Sequence, residues 1–263
     1  MAKRVVPETA RRRRRPTKQG QVLTHGLIVE TALRMLHEHG AAGLSARRLG
    51  LALGADASTI YRYFRGMDDL VLAIADELFG HAVNRFEPTG DWRGDLRELG
   101  LRIHHAYLAH PQAALLTASR VTGRPNEVAG DEMILGILRG AGFGDEDAVR
   151  IYHAFIDQSL AFSILDAATL ALPPAAREAD EEVWRDTYAR LPATTHPHIA
   201  ATAPLLVARM NDSAYPTALD MLLSSAEDQL TRSSGAVGQL ARPPARRGEA
   251  GIRVGTPACR KDI

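Results

Sequence analysis

The stretch Ser45–Phe64, SARRLGLALGADASTIYRYF, decides the fold of this chain. Ser45 can accept an amide hydrogen bond at the start of a first short helix. Gly54 stands where the chain must turn, because glycine adopts a positive φ without strain. Ile60 and Phe64 are spaced for burial on one face of a second short helix. Two short helices joined by a tight glycine turn, the second polar on its outer face, are typical of a helix-turn-helix that enters the major groove of DNA.

From about Val22 to Leu70 the chain resembles the N-terminal domain of the TetR (tetracycline repressor) family. The resemblance rests on a first helix that ends at a glycine and on the spacing of the residues after it: Gly40, Gly43-Leu44-Ser45, Leu49, Gly54, Thr59-Ile60-Tyr61, Phe64 and Asp68-Asp69-Leu70. It implies an all-α protein in which a three-helix helix-turn-helix domain is joined by a connector helix to a C-terminal helical ligand-binding and dimerisation domain. Where the family usually has a lysine before the acidic pair, this chain has Met67.

The polar residues of the helix-turn-helix are the predicted DNA contacts. Tyr61 and Tyr63 are placed for phosphate or base contacts, and Arg62 for a guanine or a phosphate. Ser58 and Thr59 can reach base edges or phosphates, and Arg47 on the preceding helix can reach the backbone or base edges. The predicted partner is a double-stranded, roughly palindromic operator.

Charge is divided unevenly along the chain, although the formal net charge is only +1. Residues 1–66 carry 13 Lys and Arg against 4 Asp and Glu, whereas residues 67–231 carry 12 against 25. Because Lys and Arg supply non-specific affinity for DNA phosphates, this segregation agrees with a DNA-binding N-terminal domain. Uneven solvated faces on a neutral protein are the alternative explanation.

Four segments follow from composition and periodicity. We expect residues 1–21 to be a disordered basic arm, which either lies along DNA or only aids solubility. Residues 22–87 form the DNA-binding domain with its connector helix, from about Asp68 to Arg85. Residues 91–231 form the second helical domain, and residues 232–263 are predicted to be a disordered tail.

The amino-acid composition limits the possible fold classes and cellular compartments. The apolar fraction of 45% suffices for a core, and strand-like alternation is scarce, which favours an all-α fold. The single cysteine, Cys259, has no internal partner, so a reducing cytoplasm fits best. We expect no membrane association and no secretory signal, since we find no apolar run near the roughly 18–20 residues that span a bilayer.

Helix order in residues 91–231 resembles the C-terminal domain of the same family. This resemblance implies an effector pocket walled by the helices at 91–109, 125–139 and 145–172, and a homodimer held by a four-helix bundle. The predicted effector contacts are Ile103, His104, Tyr107, Ile134, Tyr152 and Ile156. The predicted dimer contacts are Phe155, Phe162, Ala218 and Leu222. These linings imply a largely apolar effector with one or two hydrogen-bonding groups.

No phosphate loop, dinucleotide fingerprint, nucleophile elbow or zinc ligand set is visible in the sequence. We therefore predict no catalytic residues, no metal and no cofactor. The function predicted is a transcriptional regulator, most simply a repressor that a small effector releases from its operator. Two alternatives stay open: a helical small-molecule-binding protein or enzyme that keeps the helix-turn-helix only for packing, and a regulator controlled by a protein partner.

Overall fold

The computed structural model describes residues 22–240, with side chains as far as residue 232, and all regular structure in this range is helical. The all-α fold class is therefore confirmed for the described residues. The predicted arm 1–21 and the predicted tail beyond residue 240 lie outside them. The helices are α1 His25–His39, α2 Ala46–Ala52, α3 Ala57–Ile60, α4 Met67–Val83, α5 Trp92–Leu108, α6 Pro111–Thr117, α7 Pro125–Gly140, α8 Asp145–Ala171, α9 Pro174–Val183, α10 Pro197–Ala208 and α11 Tyr215–Leu240.

The N-terminal head consists of α1, α2 and α3. The Thr24 hydroxyl caps α1 by accepting from the Leu27 amide at 3.0 Å. The inward side of α1 is completely buried at Ile28 and Leu36, and the helix ends at Gly40, whose φ is +63°. This stripe packs on α2 and α4 and fixes the head on its connector.

The connector α4 ends earlier than the sequence predicts. Its last helical residue is Val83, and Arg85 has a φ of +62°, a left-handed conformation that is uncommon outside glycine. This turn and the segment that follows redirect the chain into α5, where the Asp91 carboxylate caps the first turn. The connector packs against α1 in the head and against α5, α6 and α7 in the body.

The body is built around α8, which contacts α5, α6, α7 and α11. By length and mean hydropathy alone α8 could cross a membrane, but a central helix of a bundle has the same composition. One stripe of α8 is buried in its own subunit: Ala148, Ile151, Phe155, Ser159, Ser163 and Ala167. Phe155 is fully buried there, so its assignment to a dimer interface is corrected to a place in the subunit core.

Beyond α8, helix α9 is followed by a π-helical turn, Trp184–Tyr188, and α10 begins at Pro197. These segments pack mainly on one another. The last helix continues to Leu240, beyond the predicted end of the domain near 231, because extending an existing helix costs far less than nucleating a new one.

Candidate nucleic-acid interface and ligand clefts

Three buried side chains hold the helix-turn-helix together. Leu49 of α2, Ile60 at the end of α3 and Phe64 beyond it are almost entirely inaccessible to solvent. The Ser45 hydroxyl caps α2 by accepting from the Arg48 amide at 3.3 Å, as predicted. The apolar side of the motif is therefore anchored in the head, and its polar side faces outward.

Two glycines allow α2 and α3 to approach closely. Gly54 has a φ of +62°, as the sequence predicts for the turn. Gly50 was not singled out from the sequence, yet a Cβ there would lie only 2.8 Å from the Ala55 carbonyl oxygen and 3.0 Å from the Ala57 amide. A glycine inside a predicted helix was the signal that could have identified it.

The outer surface of the motif presents the predicted DNA contacts. Arg47, Ser58 and Arg62 are exposed, and Thr59 and Tyr61 are half-buried. The helix α3 is only one turn long, and the chain continues through turn bonds from the Arg62 amide to the Thr59 carbonyl and from the Tyr63 amide to the Ile60 carbonyl. Asp56 occupies the cap position of α3 without a side-chain hydrogen bond.

Tyr63 points into the head and differs in this respect from its neighbours. Its hydroxyl donates to the Leu23 carbonyl at 2.9 Å, and its own carbonyl lies 3.1 Å from His25 Nε2. The His25 ring meets Tyr63 and Phe64 edge-on, each at 5.2 Å. His25 therefore joins α1 to the segment after α3.

Side-chain hydrogen bonds join the connector to the start of α7. The Asp76 carboxylate is buried and accepts from the Glu127 amide at 3.0 Å, and Asn126 Nδ2 donates to the Asp76 carbonyl. Burial raises the pKa of the Asp76 carboxyl above its ordinary value. These polar contacts were not visible in the sequence, because the two partners lie far apart along the chain.

The six predicted effector residues do not surround a single described cavity. Ile103, Tyr107 and Ile134 are buried in the continuous core of the body. Tyr152 is half-buried, and its hydroxyl donates to Asp131 Oδ1 at 2.7 Å. Ile156 is also half-buried and packs on the same core.

His104 belongs to a buried polar network that crosses the body. Its Nε2 lies 2.8 Å from Asp166 Oδ2, which also accepts from the Ser213 hydroxyl at 2.5 Å. The His104 ring stacks on Tyr215 at 4.8 Å, and the Tyr215 hydroxyl pairs with Ser159 at 2.7 Å. Burial raises the pKa of Tyr215 to about 12, so its hydroxyl stays protonated at neutral pH.

Clefts of ligand size open on the described part of the molecule; a shallow one of about 590 Å³ follows the outer side of α11, and three others lie between helices. The first, of about 560 Å³, lies between the C-terminal half of α8, α9 and the loop before α11. The second, of about 470 Å³, lies beside Trp92 and the outer side of α7. The third, of about 450 Å³, separates α1 from α4 and the α5–α6 corner. Each falls in the range of volumes of small-molecule sites.

Comparison with known families assigns the two halves of the chain. Residues 28–74 match the family described as bacterial regulatory proteins, tetR family, and residues 86–230 match the tetracyclin repressor-like C-terminal domain. The chain belongs to the TetR family. Both resemblances seen in the sequence are thus confirmed, and the helix-turn-helix is the family's DNA-binding motif.

Individual TetR relatives are similar over different spans. An HTH-type transcriptional regulator from Saccharopolyspora erythraea is 33% identical over 138 residues, which cover 51% of this chain and 58% of that protein. The class C tetracycline repressor protein from Escherichia coli is 26% identical over 76% of this chain and 89% of its own length. This chain spans only 51% to 58% of the length of the first three curated relatives.

A TetR family protein of known structure shares the fold. ActR from Streptomyces coelicolor, in complex with actinorhodin, superposes with a TM-score of 0.69 at 23% identity, covering 79% of this chain and 98% of that one. At this identity the likeness concerns the fold alone. Within residues 22–232, no group of three or more His, Cys, Asp or Glu side chains is arranged to hold a metal ion.

Proposed function

We propose that this protein is a DNA-binding transcriptional regulator, acting most simply as a repressor. The observation that carries the proposal is the outward polar surface of α2 and α3, where Arg47, Ser58 and Arg62 are exposed on a motif anchored by buried Leu49 and Ile60. A short helix presented in this way can enter a major groove, and its flanking residues can contact phosphates.

The proposed contacts divide into two groups. Arg47, Ser58, Thr59, Tyr61 and Arg62 offer donors and acceptors on the outer surface, as direct base or phosphate contacts require. Tyr63 remains a proposed contact through its ring edge alone, since its hydroxyl is engaged by the Leu23 carbonyl. We therefore assign the specific recognition to the first group.

A second copy of the chain is proposed to cover the outer surfaces of α8 and α11. These helices pack together, and each leaves a large apolar side chain open: Leu165 is 61% exposed and Met221 is 69% exposed. Phe162, Ala218 and Leu222 are half-buried and remain proposed contacts at the edge of this surface. A two-fold dimer would carry two reading heads and would favour a roughly palindromic operator.

An effector would act by moving the body against the connector. Because Asp76 of α4 binds the start of α7 at Glu127, a ligand that shifts α7 also shifts α4 and the head attached to it. ActR has been solved with a small molecule, actinorhodin, and the clefts of this body have volumes in the range of small-molecule sites. They favour a small effector over control by a protein partner alone.

The proposal places the protein among cytoplasmic, non-enzymatic regulators; the relatives are named as a transcriptional regulator and a repressor. Its test is selection of bound duplexes from a random pool, followed by a mobility-shift titration of the selected site. We expect a palindromic motif bound at least about a hundredfold more tightly than unrelated DNA. Arg62→Ala should abolish most of this preference, whereas Arg139→Ala, on the exposed end of α7, should keep it. Equal affinity for selected and unrelated duplexes would contradict the proposal.

A further inference from the structure

One side-chain cluster that the predicted function leaves unused surrounds the cleft beside α9. This cleft of about 560 Å³ lies between Leu170 of α8, Trp184 of the π-helical turn and Met210 before α11. None of the six predicted effector residues lines this cleft, but Asp166, which does line it, is hydrogen-bonded to one of them, His104. The residues that line this cleft therefore indicate a class of ligand that the sequence did not predict.

Negative charge predominates in the cleft. Four carboxylates line it, from Asp166, Asp180, Glu181 and Asp212, against the single guanidinium of Arg177. Glu181 accepts only from the neutral Asn211 amide at 3.1 Å. Among the residues with described side chains, the Asp180 carboxylate has neither a hydrogen-bond donor nor a cation within ion-pair distance.

The other walls are apolar or aromatic. Trp184 lines the cleft while its ring stacks on Tyr188 at 4.3 Å with an interplanar angle of 10°. Leu108, Leu170 and Met210 contribute apolar surface. The guanidinium of Arg177 also borders the cleft, but its Nε is buried away from the open space. Asp212 is paired with Arg209 at 3.5 Å, whereas neither Asp180 nor Glu181 has a cationic partner among the described side chains. An indole ring beside such carboxylates attracts a cation more strongly than either group alone.

We propose that this cleft binds an aromatic cation, with the positive charge facing Asp180 and Glu181 and a ring against Trp184. Resting on the proposed function, we further assign this class of molecule as the effector. Asp166 connects the cleft to the body: it lines the cleft and holds His104 of α5, and α5 packs on the connector α4. A ligand that displaces Asp166 thereby acts on the helix that carries the head.

Tetraphenylphosphonium and tetraphenylborate test the charge requirement, because the two ions have the same shape and opposite charge. We expect titration calorimetry to show binding of the phosphonium and at least about tenfold weaker binding of the borate. Equal affinity for both ions, or no binding of the phosphonium, would overturn the proposal.

The two tryptophans of the chain allow the site to be located. Trp184 lines the proposed cleft, and Trp92 lines the second cleft beside α7. In Trp92→Phe the phosphonium should change the remaining emission, and in Trp184→Phe it should leave the remaining emission unaltered. The reverse pattern would move the site to the second cleft and contradict the assignment.

Matched charge variants on α9 complete the test. Asp180→Asn with Glu181→Gln keeps the shape of the wall and the Asn211 contact, and it should weaken phosphonium binding by about tenfold or more. The control is Glu178→Gln with Glu182→Gln, two exposed carboxylates of the same helix that do not line the cleft. Equal weakening by both pairs would show a general effect of net charge and would overturn the site.

Titration of the phosphonium into the protein–operator complex distinguishes binding at the cleft from a role of the cleft as the effector site. If the phosphonium binds with the expected charge and Trp184 dependence and also lowers operator affinity, both proposals stand. If it binds in this way without any change in operator affinity, the site stands and its assignment as the effector site fails. Failure of the protein to select any duplex would instead contradict the proposed regulator and leave the binding result unaffected.

Discussion

Arg124 Nη2 lies 2.6 Å from Asp69 Oδ1 and joins the first residue before α7 to the first turn of α4. The other carboxylate oxygen of Asp69 accepts from the Arg65 amide at 2.8 Å, just beyond the helix-turn-helix. One carboxylate thus binds both the body and the segment that follows the reading helix. A displacement of the start of α7 would therefore strain or break the bond between Arg124 and Asp69, and Asp69 in turn binds the segment that follows the reading helix.

Replacing Arg124 by Gln should therefore weaken the coupling between ligand binding in the cleft and operator binding by the head. The free energy of unfolding should fall by only about 1 kcal/mol, since a partly exposed ion pair contributes little. The loss of operator affinity caused by tetraphenylphosphonium, expected to reflect a coupling of roughly 1–3 kcal/mol, should shrink. Mobility-shift titrations with and without the ion measure this. Arg139→Gln, which breaks the exposed pair with Asp145, is the control. Unchanged coupling in Arg124→Gln would rule out this contact as the link.

Arg62 and Tyr63 are neighbours with opposite expected roles. Arg62→Ala should weaken specific DNA binding by about 1–3 kcal/mol at unchanged thermal stability, because its side chain is exposed. Tyr63→Phe should lower the free energy of unfolding by about 1 kcal/mol, because it removes the bond to the Leu23 carbonyl. Operator titrations and urea unfolding of both variants distinguish the two. A stable Tyr63→Phe protein with a large loss of operator affinity would place the hydroxyl on DNA instead.

Gly50 and Gly136 give a matched pair of alanine substitutions. Gly50→Ala should destabilise the head by about 1–3 kcal/mol, since the new Cβ would lie 2.8 Å from the Ala55 carbonyl oxygen. Gly136→Ala, within α7 and with no heavy atom near the added Cβ, should stabilise the protein by about 0.5–1 kcal/mol. Thermal unfolding compares the two directly. Equal effects would mean that α2 and α3 can separate without cost.

Leu165 and Met221 should each be needed for dimerisation. Leu165→Asp or Met221→Asp would place a charge in the proposed interface and should yield a folded monomer. Val121→Asp is the control, because Val121 is 85% exposed in the loop before α7, away from α8 and α11. Light scattering with circular dichroism reports mass and folding together. A dimer that survives both substitutions would move the interface elsewhere.

Asp76 should make stability depend on pH. Because burial raises its pKa above 3.8, the folded protein binds this proton more tightly than the unfolded chain. The free energy of unfolding therefore loses a contribution as the pH rises through the interval between the unfolded and the folded pKa. Urea unfolding across this interval should show a shallower decline in Asp76→Asn, whereas Asp145→Asn, at an exposed carboxylate, should follow the wild type. Parallel curves for Asp76→Asn and the wild type would contradict the assignment.

The local features of the head could be predicted from the sequence. Thr24 and Ser45 cap their helices, Gly54 turns the chain, and Ile60 and Phe64 are buried, all at the positions that their residue types indicate. Each depends on interactions within a few residues, for which side-chain chemistry and helical spacing are sufficient. Helix order and the family followed from the same short-range patterns.

Several long-range features could not be predicted from such short-range patterns. Phe155 was predicted to face a second subunit, and periodicity could not distinguish this from burial in its own subunit, since both need an apolar residue. The contact between His25 and Tyr63 was not visible in the sequence, because the two residues lie 38 positions apart in the chain. The predicted effector residues lie on α5, α7 and α8, and most of them fill the core rather than line a cavity.

The amino-acid sequence by itself determined the helices, their caps, the glycine turn and the concentration of positive charge at the N-terminal end. Only the tertiary structure decided which carboxylates meet: Asp69 with Arg124, Asp166 with His104, and Asp180 and Glu181 around one cleft. The physical reason is that such contacts and voids depend on how helices far apart in the chain pack against one another. The residue types and their spacing along one helix do not identify the residues of another helix that pack against it.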